Sequence, residues 1–179
     1  SASVEPGSLV WVESRALGRE LEKFWTVPGS VAAGEHTWRA DLVLDSGSNM
    51  VMMVPGASFA RLLRALLGPV HVETSCYANP APGSDDVLCD CAVAEDRSLG
   101  ALRVVLGGRA FELEARELFL RVPADDGGER CLLEVKPNSK LLGEGSNGSA
   151  SPGQGRRAQL WMLGGMFMAR YATLFDFDR

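Results

Sequence analysis

Leu160-Trp161-Met162-Leu163-Gly164-Gly165-Met166-Phe167-Met168-Ala169-Arg170-Tyr171-Ala172-Thr173-Leu174-Phe175-Asp176 is the stretch on which the reading of this fold turns. Far upstream stands Leu42-Val43-Leu44-Asp45-Ser46-Gly47-Ser48, an apolar run that enters an Asp-Ser-Gly turn. Alone, such a tripeptide after an apolar run is most often just a turn.

Between and around these two segments, strand patterns dominate. Ser8-Leu9-Val10-Trp11-Val12 and Trp25-Thr26-Val27-Pro28 read as extended, with Gly and Pro as punctuation. Asp41 to Leu44 runs into the Asp-Ser-Gly turn, and Asn49 to Val54 continues as an apolar strand ended by Pro55-Gly56. The period then changes. Phe59, Leu62, Leu63, Leu66 and Leu67 recur at helical spacing with Arg61 and Arg64 off the stripe, which predicts an amphipathic helix over 57–67 stopped by Gly68-Pro69. Residues 77–87 carry a loop signature. Ala101–Leu106, Gly107-Gly108 and Arg109–Leu113 form a hairpin pattern, the paired glycines supplying positive φ, and Leu118–Val122 is a further strand. The Gly- and Ser-rich stretch 142–157 reads as a flexible surface loop. Its Arg156-Arg157 pair reads first as solvated and second as a processing site.

Composition narrows the classes. At 179 residues the chain has the length of one domain, and 46% hydrophobic against 23% charged residues is a globular balance. A net charge of −5 argues against nucleic acid, because nothing here would neutralise a row of phosphates. There is no apolar run of about 18 residues to span a membrane. Ser1-Ala2-Ser3-Val4-Glu5 has no basic start or apolar core, so the chain is read as a processed or excised product. Cys76, Cys89, Cys91 and Cys131 allow three pairings. Cys89-Asp90-Cys91 suits neither a zinc knuckle nor a redox C-x-x-C, and with His36 and His71 the only histidines no metal site is expected. Asn147-Gly148-Ser149 is a glycosylation sequon.

The C-terminal stretch resembles the segment that closes the C-terminal lobe of pepsin-like aspartic proteases, W-x-L-G-x-x-F-x-R-x-Y-x-x-F-D, and Leu42–Ser48 is similar to their apolar-apolar-D-[ST]-G-[ST] catalytic loop. Phe24-Trp25-Thr26-Val27 and the Ala101–Leu113 hairpin extend the likeness, which runs from about residue 8 to residue 178. The resemblance implies an all-β fold with one or two short helices, a single C-terminal lobe of the bilobal acid protease fold spanning 1–179. It also implies two disulfides, with Cys131 joined to Cys89 or Cys91 and the remaining one to Cys76. The compartment it implies is the secretory pathway, secreted or acidic endolysosomal, and there a glycan on Asn147 and a zymogen form are expected.

An aspartic protease activates water between two carboxylates that share one proton, because ionising both at close range is costly. Carried over, Asp45 is the candidate catalytic carboxylate. Ser46 matches the hydroxyl that cross-links the two loops, Gly47 the close-approach position, and Ser48 the hydroxyl that binds the outer carboxylate oxygen. Met162-Leu163-Gly164 matches the second apolar-apolar-Gly element that packs beneath the loop, with Met162 near the primed side of the cleft. No cofactor or metal is implied. The expected partners are an N-terminal lobe, on another chain or an upstream segment, and a peptide or protein substrate.

Three residues depart from the pattern: Asn49 stands where Ser or Thr is usual, Pro55 falls one place late, and Gly165 replaces a common Asp. This chain holds one D-S-G loop where such an enzyme needs two, so alone it is expected to be inactive. Two other readings stand beside the protease lobe. One is a non-catalytic pseudoprotease lobe that binds a partner. The other, ranked last, is a homodimer with two copies of Asp45 facing across a two-fold axis. Trp11, Trp25, Trp38 and Trp161 share no period and read as core or interface anchors, and Met50, Met52 and Met53 read as core packing.

Overall fold

The computed structural model describes residues 9–15, 24–124, 127–138 and 160–176. The loop 142–157, with Asn147 and the Arg156-Arg157 pair, lies outside these residues. The described chain folds as β1 (Trp25–Ala33), β2 (His36–Leu44), β3 (Met52–Pro55), α1 (Gly56–Thr74), β4 (Cys76–Ala78), β5 (Val87–Cys89), α2 (Cys91–Glu95), β6 (Ala101–Leu106) and β7 (Arg109–Glu114). After a 3-10 turn at Ala115–Leu118 come β8 (Phe119–Pro123), β9 (Glu129–Leu133), β10 (Val135–Asn138), β11 (Trp161–Leu163) and α3 (Gly165–Arg170). This is a mostly β architecture with three helices, where the sequence suggested one or two.

The strands form a seven-stranded sheet ordered β10-β3-β11-β2-β1-β6-β7 and a four-stranded sheet ordered β4-β5-β9-β8. β1 and β2 pair along their whole length, well beyond the short extended segments legible in the sequence. The extra length runs through Gly29, Ser30, Ala32 and Ala33, which have little strand preference of their own. Gly29, Ser30 and Ala32 are held because β1 is also paired with β6 on its other side, and Ala33 is held by its pairing with His36. Gly29 fits there for a steric reason: a Cβ on it would stand 2.6 Å from the Val105 carbonyl oxygen and 2.7 Å from a Leu42 methyl.

Helix α1 packs Leu62, Leu63, Leu66 and Leu67 into the core, and each buried leucine is worth roughly 2 kcal/mol relative to exposure. Gly68 does break the helix, with φ 75° and ψ 152°, but the chain turns helical again from Pro69 to Thr74. Proline is tolerated in a first helical turn, where its missing N–H has no partner to lose. The stop expected at Gly68-Pro69 is therefore a kink. Gly107 and Gly108 turn the β6–β7 hairpin with φ of 55° and 79°.

The core lies between the large sheet and α1, around the fully buried Val31, Leu42, Met52, Leu102, Leu133 and Leu163. Met52 is buried, whereas Met50 and Met53 are half-buried. Trp161 is buried and stacks at a tilt on Trp38, with ring centroids 5.7 Å apart. Trp25 meets Phe175 at 5.3 Å, and Trp11 is exposed. Disulfides join Cys76 to Cys89 across β4 and β5, and Cys91 to Cys131 between α2 and β9. Among the described residues no helix is long and apolar enough to cross a membrane.

Candidate active site

The Asp45 loop links β2 to β3, and the short β11 slots between those two strands, parallel to β2 and antiparallel to β3. This insertion seats the loop. The Asp45 N–H donates to the Leu163 carbonyl at 2.9 Å, and the Gly164 N–H donates to the Val51 carbonyl at 3.0 Å. The start of α3 closes over the loop, Gly165 N–H donating to the Ser48 carbonyl at 2.7 Å and Met166 N–H to the Met50 carbonyl at 3.2 Å. Loop carbonyls that no strand pairs are thereby satisfied by backbone from the other end of the chain.

Within the loop the Asp45 carboxyl is fixed at both oxygens. Ser48 Oγ donates to Oδ2 at 2.6 Å, and the Gly47 N–H donates to Oδ1 at 3.0 Å. Such bonds to an ionised group are short and stronger than neutral ones. Ser46 and Gly47 are exposed at the tip, and Asp45 and Ser48 are half-buried. Met162 is half-buried on β11, opposite Val43 on one side and Met53 on the other, while Leu163 is fully buried. Asp45, Ser48, Gly47, Leu163 and Gly164 thus meet in one place, with Ser46 and Met162 beside them.

The departures from the family pattern have structural counterparts. Val51 and Met52 both donate their N–H groups to the single carbonyl of Glu134, at 2.9 and 3.2 Å. Two residues facing one acceptor is how a bulge absorbs an additional residue in a strand, and Pro55 sits downstream of it. At Gly165 a Cβ would approach the Ser48 carbonyl oxygen to 3.2 Å, a tight fit beside a backbone acceptor that Gly165 itself fills. Asn49 is exposed on the loop.

Glu134 is the participant that the sequence reading missed. The signal was a lone carboxylate in the apolar run Leu132-Leu133-Glu134-Val135. A cavity of about 450 Å³ elsewhere, lined by Glu95, Arg97, Arg116, Phe119 and Arg121 among others, contains no residue of the Asp45 loop.

Residues 4–179 match the family described as Eukaryotic aspartyl protease. The chain belongs to the eukaryotic aspartyl protease family, and protein substrates are implied by that membership. No curated protein sequence matches it. The two disulfides are consistent with the oxidising secretory pathway.

Proposed function

We propose that this chain is the C-terminal lobe of a pepsin-like aspartic endopeptidase and that Asp45 is the carboxylate it contributes. The observation that carries this reading is the fixed carboxyl of Asp45, held at one oxygen by Ser48 Oγ and at the other by the Gly47 N–H, on a loop seated against Leu163.

The partner lobe, on another chain or an upstream segment, supplies the second aspartate. Two carboxylates brought together share a proton, one acting as base toward water and the other as acid toward the peptide carbonyl, and their titration belongs to the pair. Ser46, exposed at the loop tip, is available to cross-link the two loops. Gly47 leaves room for the partner loop and for substrate backbone, and Met162 borders the primed side. The substrate is an extended peptide cleaved between apolar side chains in acid. The compartment is secretory or endolysosomal, with Asn147 as a candidate glycan site and residues 1–179 as one lobe.

The deciding experiment is peptide cleavage by the full-length protein and its Asp45→Asn variant, with pepstatin binding alongside. A folded but inactive variant supports the reading. Retained activity removes Asp45 from catalysis, and absence of activity in the unmodified protein leaves the partner-binding pseudoprotease.

A further inference from the structure

Glu134 sits at the bend where the chain leaves β9 for β10 and so passes from the small sheet to the large one. Its backbone is fully engaged. The N–H donates to the Leu118 carbonyl at 2.7 Å, and the carbonyl accepts both Val51 and Met52, the residues that end the Asp45 loop and begin β3. Its side chain is the opposite case. Glu134 is only 3% exposed, and among the described residues no hydrogen bond reaches its carboxyl. The charged groups that act on it are Lys136 on β10 and Asp86 from the loop before β5. These bond to each other at 2.7 Å, so the Lys136 ammonium is already engaged. An ionised carboxylate there has given up most of its water and gains no donor from the described residues, whereas the neutral acid is far cheaper to bury.

We propose that Glu134 is a positioning residue for the Asp45 loop, holding Val51 and Met52 in place only while its own carboxyl is protonated, so that the site is confined to acid by its own support. The activity part of this inference rests on the reading of Asp45 given above; the structural part does not. Ionisation drives the carboxylate outward toward water and Lys136. The same residue's carbonyl anchors the end of the loop, so that movement withdraws the shared acceptor. Burial pushes the Glu134 carboxyl above the usual glutamate range, with Lys136 opposing and Asp86 adding to the rise. A raised folded-state value gives stability that is fully present below the ordinary glutamate value of about 4.3 and is lost as pH rises through the folded one.

The test compares the full-length protein with Glu134→Gln, which is uncharged at every pH and close in size to the protonated acid. Thermal unfolding, peptide cleavage and amide exchange at Val51 and Met52 are followed from about pH 3 to about pH 8, exchange being corrected for its intrinsic pH dependence. The melting temperature of the unmodified protein should fall more steeply toward neutrality than that of the variant. The pH of half-lost activity should move up by about one unit in the variant. Protection at Val51 and Met52 should drop about tenfold in the unmodified protein and hold in the variant. Melting curves that track each other at every pH overturn the inference. If the variant does not fold, pH-independent protection at Val51 and Met52 in the unmodified protein overturns it equally. Asp45→Asn, measured alongside, separates the two readings: an active Asp45→Asn protein defeats the catalytic assignment while melting and exchange still decide the role of Glu134.

Discussion

Gly164 lies so close to Met50 that a Cβ in its place would stand 2.2 Å from the Met50 carbonyl oxygen, with the Ser48 carbonyl oxygen at 2.9 Å. Both obstacles are backbone, and neither can swing aside. Gly164→Ala should therefore cost about 3 kcal/mol or more, read as a lower denaturation midpoint with unchanged slope. Gly165→Ala, whose added carbon would meet the Ser48 oxygen at 3.2 Å, should cost less, roughly 1 kcal/mol. Equal costs would mean that the loop yields where its hydrogen bonds say it is clamped.

Ser48→Ala removes the 2.6 Å bond to Asp45 Oδ2 and leaves only the Gly47 N–H to orient the carboxyl. A hydrogen bond to a charged group is worth roughly 1.5–3 kcal/mol, so kcat/KM of the full-length protein should fall about 10- to 100-fold. Ser48→Thr, which keeps the hydroxyl, should stay near the unmodified rate. An unimpaired Ser48→Ala enzyme would show that orientation at Oδ2 is dispensable.

Acid tolerance should depend on Asp96. Ser98 gives its carboxyl both a hydroxyl and a backbone N–H, at 2.7 and 2.8 Å, and His71 Nε2 lies 3.0 Å away. The Ser98 hydroxyl, then the Ser98 N–H, then His71 hold Asp96 down at about 2. A depressed folded-state value gives stability that is present above the ordinary aspartate value, about 3.9, and is lost as pH falls through the folded one. Asp96→Asn should melt below the unmodified protein at about pH 5, and the gap should close as pH approaches 2.

The two disulfides should differ in worth. Cys91–Cys131 closes a sequence separation of 40 and Cys76–Cys89 one of 13, which on loop-closure entropy gives about 4 and about 3 kcal/mol. Paired Cys→Ser variants, compared by denaturant unfolding, should keep that order.

Elements fixed by local chemistry were legible in the sequence. The β6–β7 hairpin follows from Gly107-Gly108, and α1 up to Leu67 follows from its leucine stripe. Of the two cysteine pairings left open, the structure has the one that joins Cys131 to Cys91. Less visible was anything decided by a distant neighbour. Residues 29–32 extend as a strand because β6 lies alongside, and Trp38 meets Trp161 because β11 comes to rest beside β2. The helical turn after Pro69 was hidden because the same dipeptide can end a helix or bend it. Glu134 stood out in the sequence only as a lone carboxylate in an apolar run; that its carbonyl holds Val51 and Met52 leaves no mark on residue type. At the site, the resemblance directed attention to Asp45, Ser48 and Gly164, whereas their mutual bonds are a matter of geometry alone.

The place of β11 between β2 and β3 also sets an order of events in biosynthesis. When residue 138 has left the ribosome, ten of the eleven described strands exist, yet the two that flank the Asp45 loop still face a gap. The acceptor for the Asp45 N–H and the donors for the Ser48 and Met50 carbonyls all come from residues 163–166. Closing that gap joins distant parts of the chain, a slow class of step, and until then two strand edges lie open to unwanted pairing. The nascent chain therefore carries Asp45 on an unseated loop, and that loop takes its final form only as the last of the described strands slides home.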